Sequence, residues 1–196
     1  MLAKTRWWLL CMAALLIVAC SKAPVTFHGR DITGIMPDLQ FQLTDENGKA
    51  VTEQDYADKV VVLFFGYTHC PDYCPATLTL LAQALKILPA DQRDRYRVLF
   101  VSVDPKRDTP ELLKKYTAYF APQIIGLTGS KAQLDALTKR YRTAYSYGEP
   151  DADGNYEVTH GLAMYGFDVH GAVHLFMRDD EPAKQIAEDL QALGTL

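Results

Sequence analysis

Long runs of like charge are missing from this chain, and its formal net charge is only −4. Nucleic-acid binders usually present a clustered basic face, so nucleic acid is excluded as a partner. Low-complexity tracts are missing too. Hydrophobic residues make up 48% and charged residues 22% of the 196 positions, enough for a single core and one domain, with disorder expected only near the N-terminus. Cysteine is scarce: Cys11, Cys20, Cys70 and Cys74 are the four.

Residues 1–20, MLAKTRWWLLCMAALLIVAC, place Lys4 and Arg6 ahead of an apolar run too short for a comfortable bilayer span. That is a signal-peptide pattern. Its end, Ile17-Val18-Ala19-Cys20, resembles the lipobox of bacterial lipoproteins, with Cys20 as the lipidated first residue of the mature chain; a plain uncleaved anchor helix is the alternative. Either way residues 21 onward lie outside the cytoplasm, tethered to a membrane. The expected division is a leader over 1–19, a lipidated tether over 20–37 with two prolines and no periodicity, and a folded domain over 38–196. Cys11 leaves with the leader and Cys20 takes the lipid, so only Cys70 and Cys74 remain. In an oxidising compartment such a pair is a structural disulfide, a redox-active dithiol or a metal site.

LQFQLTD, then Asn47-Gly48, then KAVT predict a β-hairpin. VVVLFFGYT (60–68) is continuously apolar, as for a strand buried on both faces. Leu78, Leu81, Leu85 and Leu88 recur at helical spacing up to Pro89, and RVLFVSVD (97–104) is a second buried strand, so a parallel strand–helix–strand unit is predicted. Thr109-Pro110 opens a helix to about Phe120, and Ser130 with Gln133 forms a capping box for another, to about Tyr141. AYSYGEPDADGNYE (144–157) is a turn-rich inserted hairpin. Its Asp151, Asp153 and Asn155 imitate a calcium loop but lack the glycine and glutamate that such a loop needs at its sixth and twelfth positions. LAMYGF (162–167) and AVHLFM (172–177) form an antiparallel hairpin, and a helix over 182–193 ends at Gly194. The order predicts an α/β, thioredoxin-like fold with a central mixed sheet flanked by helices.

Cys70-Pro-Asp-Tyr-Cys74-Pro lies where a buried strand gives way to a helix, the place where open α/β sheets put ligands. A helix N-terminus favours thiolates there. Three residues separate the cysteines, where thioredoxin-type enzymes have two. Two sulfurs at that spacing can converge on one ion, yet a disulfide remains possible. The loop before strand 162–167 faces the cysteines in such a fold and carries Thr159-His160-Gly161, where oxidoreductases place a proline. His160 is therefore the candidate third ligand, with a capping or core role as its alternative. His69 is expected to point away from Cys70, His28 to be unremarkable, His170 and His174 to be surface residues, Asp104-Pro105 to be a strand-ending turn, and Asp72 to tune the site electrostatically.

FFGYTHCPDYCPATL (64–78), VSVDPKRDTP (101–110) and VTHGLAMYGFDVHG (158–171) resemble the SCO/SenC family of copper chaperones over nearly the whole mature domain. The resemblance implies copper bound by Cys70, Cys74 and His160; where the family often has an acidic residue before that histidine, this chain has Thr159. It also implies a carrier rather than a turnover enzyme, serving the copper-accepting subunit of cytochrome c oxidase or another copper protein from the periplasmic face of a bacterial envelope; an oxidase partner favours the inner membrane, whereas Ser21 after Cys20 lacks the aspartate that commonly retains lipoproteins there. Two thiolates and an imidazole can hold Cu(I) or Cu(II). Zinc is the chemical rival, and the resemblance decides against it. The alternative function is a tethered thiol-disulfide oxidoreductase that reduces the acceptor's cysteines with the same pair.

Overall fold

The computed structural model describes residues 25–196; the leader, Cys20 and the first part of the tether lie outside the described residues. Hydrophobic pattern builds a mixed sheet of eight strands from β1 (Arg30–Asp31), β2 (Gln42–Asp45), β3 (Ala50–Thr52), β4 (Val60–Gly66), β5 (Tyr96–Ser102), β6 (Ile124–Thr128), β9 (Met164–Phe167) and β10 (Val173–Met177). Their order is β1-β10-β9-β4-β5-β6-β2-β3, with β7 (Tyr145–Tyr147) and β8 (Val158–His160) forming a separate two-stranded ribbon. The helices are α1 (Tyr73–Ile87), α2 (Pro110–Ala118), α3 (Lys131–Arg140) and α4 (Ala183–Leu193).

β4 is buried at all seven positions, and pairs in parallel with β5 and antiparallel with β9. β5 pairs in parallel with β6. That central placement explains why its sequence is apolar without alternation. The expected hairpins are present. Gly48 turns β2 into β3 at φ 78°, and Gly171 turns β9 into β10 at the same value, conformations that glycine adopts without steric cost. Thr109 caps α2 through a bond from the Leu112 amide, and Ser130 and Gln133 close the capping box of α3. Gly194 ends α4 with φ −70°, so it stops that helix without the left-handed turn its identity suggests.

Two parts of the sheet are not evident from sequence. β6 is a five-residue strand interrupted by Gly126, and a Cβ there would sit 2.8 Å from Leu113 Cβ. The glycine that weakens the strand signal lets α2 approach the sheet. The second is β1, which falls within the stretch read as tether. Arg30 pairs with Phe176, Ile32 is buried, and the buried Asp189 carboxylate accepts the main-chain N–H groups of His28 (2.8 Å) and Gly29 (2.9 Å). Edge pairing overrides a polar composition here, and the fold begins before residue 38.

Candidate metal centre

β4 ends at Gly66, and the chain turns through Tyr67–Asp72 into α1. Cys70 sits in that turn, its amide bonded to the Tyr67 carbonyl, while Cys74 lies in the first turn of α1. Pro75 costs nothing so near a helix start, because the first amides have no helical partner. Both thiols are free and buried, Cys70 at 8% and Cys74 at 0% exposure. The Cys74 amide points at Cys70 Sγ (3.4 Å). Gly66 makes room for this pair: a Cβ there would lie 2.8 Å from Cys74 Sγ and 2.5 Å from Phe100 Cε2.

The expectation that the helix start favours a thiolate at Cys74 is overturned for the metal-free protein. Burial pushes its thiol well above the usual range, outweighing the main-chain bond from Tyr67 that favours ionisation. A bound cation reverses that balance, since a coordinating thiol is deprotonated outright.

His160 closes β8. Its Nδ1 lies 3.0 Å from the Gly161 carbonyl, which only accepts, so Nδ1 carries the proton and Nε2 presents its lone pair. That lone pair points at Cys74 Sγ, 3.4 Å away. Burial lowers the imidazole's pKa below its ordinary value and keeps the ring neutral, as a metal ligand must be. Phe64 and Tyr67 set the ring's orientation by edge contacts at 6.3 and 5.8 Å between centroids. The ligand atoms of Cys70, Cys74 and His160 all lie within 4.8 Å of one another. Bonds of about 2.0 Å to nitrogen and 2.3 Å to sulfur need only small side-chain movements to draw a triangle of that size onto one ion.

The other candidates lie outside this trio. His69 turns away, with Nδ1 3.1 Å from Thr68 Oγ1 and 3.6 Å from Asp108, its side chain 47% exposed. Asp72 is exposed at the N-cap of α1 and makes no capping bond. Asp151 accepts the amides of Asp153 and Asn155, which makes the calcium-like stretch a self-bonded turn. His28 bonds Glu188 at 2.8 Å. His170 is exposed as expected. His174 corrects the sequence reading: it is 15% exposed, held between Asp168 (2.9 Å) and Thr33 (3.0 Å), because the buried turn carboxylate of Asp168 needs a partner.

Sequence reasoning missed a bracket behind the site. In the turn after β5, Asp104 and Asp108 are both fully buried. Asp108 accepts from the Thr68 amide (2.8 Å), Thr68 Oγ1 (2.6 Å) and Ser102 Oγ (2.5 Å), fixing the start of the cysteine turn. Asp104 accepts from Arg107 Nε and from the Tyr156 hydroxyl (2.8 Å), which belongs to the ribbon that ends in His160. Two carboxylates flanking Lys106-Arg107 at the end of a buried strand were the available signal. A cleft of about 510 Å³ lies away from the site, between β2 and α3; beside the site a groove of about 410 Å³ runs past Tyr67, His69, Arg107 and Tyr156.

The family model described as SCO1/SenC matches residues 36–195. The mouse mitochondrial protein SCO1 homolog is 34% identical over 153 residues, covering 78% of this chain and 54% of its own length. The chain thus spans about half the length of that curated relative. The structure of Bradyrhizobium japonicum ScoI with copper bound is 36% identical, with a TM-score of 0.71 and coverage of 79% of this chain and 97% of that one. A SCO1/SenC family lipoprotein from Bacillus anthracis is 26% identical, with a TM-score of 0.68 and coverage of 86% and 99%. The structural likenesses share the thioredoxin-like fold, and the residues matched by the family model include Cys70, Cys74 and His160. The chain belongs to the SCO1/SenC family.

Proposed function

We propose that this protein is a copper carrier that binds one copper ion through Cys70 Sγ, Cys74 Sγ and His160 Nε2 and passes it to the copper-accepting subunit of cytochrome c oxidase. The observation that carries the reading is the cluster, among the described residues, of two buried free thiols and a half-buried neutral imidazole with its lone pair turned inward. Soft thiolates select Cu(I), and imidazole extends the set to Cu(II). Family membership and the copper-bound ScoI relative favour copper over zinc. Three ligands without a closed fourth leave a position through which an acceptor's cysteine or histidine enters and copper leaves by ligand exchange. The thiols give up their protons on loading, so copper uptake releases protons and weakens in acid.

Lipidation at Cys20 would hold this domain at the outer face of a bacterial inner membrane. The lipobox-like residues support it, as does the lipoprotein among the relatives. Among the described residues, no helix is long and apolar enough to cross a membrane. Labelling with a fatty-acid analogue, lost in Cys20→Ala, tests the anchor.

The reduced protein should bind Cu(I) and Cu(II), with either Cys70→Ala or Cys74→Ala abolishing both. Copper binding unchanged by these variants overturns the proposal. The oxidoreductase alternative uses the same two thiols but does not need His160. Disulfide reductase activity that survives His160→Ala, in a protein whose deletion is not rescued by added copper, would favour it.

A further inference from the structure

The ribbon that delivers His160 is not paired to the main sheet; β7 and β8 pair only with each other. Side chains hold it: Tyr145 donates to Asp135 of α3 (2.7 Å), and on the side that faces the site the contacts gather around Arg107. The guanidinium lies 3.7 Å from the Tyr156 ring centroid and 5.7 Å from that of Tyr67, with Nε bonded to the fully buried Asp104. Tyr156 hydrogen-bonds the same Asp104, and Tyr147, across the ribbon, donates to the Val103 carbonyl (2.8 Å). Tyr67 in turn presents its ring to His160 and takes a main-chain hydrogen bond from Val158, two residues before it. Arg107 Nη2 is buried without a hydrogen-bond partner, so the stack and Asp104, not a full set of hydrogen bonds, hold the guanidinium.

We infer that Arg107 is the positioning residue for His160: stacked on Tyr156, within cation–π reach of Tyr67 and tied to Asp104, it latches the ribbon so that Nε2 stays against the two sulfurs. This rests on the copper reading. Two thiolates satisfy Cu(I), whereas Cu(II) depends on the nitrogen, so the latch sets the preference between the two oxidation states. A flat cation laid on the Tyr156 ring while its Nε bonds a buried carboxylate is a role lysine cannot fill, even though it keeps the charge.

The test compares wild type, Arg107→Lys, His160→Ala and the double variant. Cu(II) affinity should fall about 10- to 100-fold in Arg107→Lys, the range for residues that orient a ligand, while Cu(I) affinity falls much less. In the His160→Ala background the same change should have no further effect on the Cu(II)/Cu(I) ratio. In the metal-free protein, the His160 Nδ1–H resonance, sharp in wild type, should broaden or exchange faster in Arg107→Lys. A folded Arg107→Lys protein with unchanged ratio and resonance overturns the inference, as does an equal loss for both ions. Should that variant fail to fold, Tyr156→Leu, which removes the ring on which the guanidinium lies, is read by the same ratio and resonance. If the wild type itself binds no copper, the copper reading fails, and the metal-free resonance still decides the latch.

Discussion

The two arms of the site are built by different means. The cysteine arm grows out of β4, flanked by hydrogen-bonded strands on both sides and buried along its length, so backbone pairing and close packing set the sulfurs. The histidine arm is a short ribbon outside the main sheet, held by Tyr147, Tyr156 and Arg107 through side-chain contacts. Sheet registers are fixed cooperatively with the core, whereas side-chain attachments to an exposed ribbon open locally at low cost. In the proposed carrier this division would set two firmly placed sulfurs beside a nitrogen whose support opens more easily. The turn over residues 104–108 joins the arms, with one buried carboxylate on each.

Several changes should separate the arms. The largest effect is expected from Gly66→Val, which forces a branched side chain against Phe100 and Cys74 Sγ. Overpacking of this kind costs about 1–3 kcal/mol, and at so crowded a point the upper end is expected, together with loss of both Cu(I) and Cu(II). Urea unfolding and chelator competition measure the two losses. Next is Asp108→Asn, which weakens the bonds that fix the cysteine turn. Hydrogen bonds to a charged group contribute about 1.5–3 kcal/mol, so a loss near 2 kcal/mol in urea unfolding is expected, with copper weakened in both oxidation states.

A gentler separation comes from pH in the metal-free protein. His160 has a lowered pKa when folded, so between its ordinary 6.5 and the lower folded value the unfolded chain takes up a proton that the folded one refuses. Stability is complete above 6.5 and falls as the solution is made more acid. Cys74 has a raised pKa when folded, so above its ordinary 9.0 the unfolded chain releases a proton that the folded one keeps, and stability falls as pH rises. Thermal melts across pH should show His160→Ala flattening the acid limb and Cys74→Ser the alkaline one. If neither limb moves, the burial assigned to these groups is wrong.

The smallest change in stability, on the order of 1 kcal/mol, is expected from Gly161→Ala, whose Cβ would crowd the Thr143 hydroxyl, which can rotate aside, and touch Thr143 Cβ at 3.4 Å. Its effect should fall on Cu(II), because the carbonyl that fixes the His160 tautomer belongs to that residue.

What could be read from the sequence follows the same division. The cysteine arm was legible because β4 is an unbroken apolar run and α1 carries a helical period, and Cys70 and Cys74 fall where that strand and helix meet. The histidine arm was legible in identity but not in geometry: missing proline and family resemblance single out His160, yet nothing in Val158-Thr159-His160 announces a ribbon separate from the sheet. Asp104 and Asp108 were hidden for a related reason. A carboxylate is buried only where other groups satisfy it, and for this pair those groups include Thr68 and Tyr156, 40 and 52 residues away in sequence. β6 and β1 were missed because a glycine and a polar edge mask strand pattern where tertiary packing decides.

X-ray absorption on the Cu(II)-loaded, full-length protein, paired with the same measurement on His160→Ala, tests most directly whether the three side chains form one copper site. A shell of two sulfurs and at least one imidazole nitrogen, with that nitrogen lost in His160→Ala and both sulfurs kept, is the expected result. A shell without sulfur, or one that His160→Ala leaves unchanged, would contradict it.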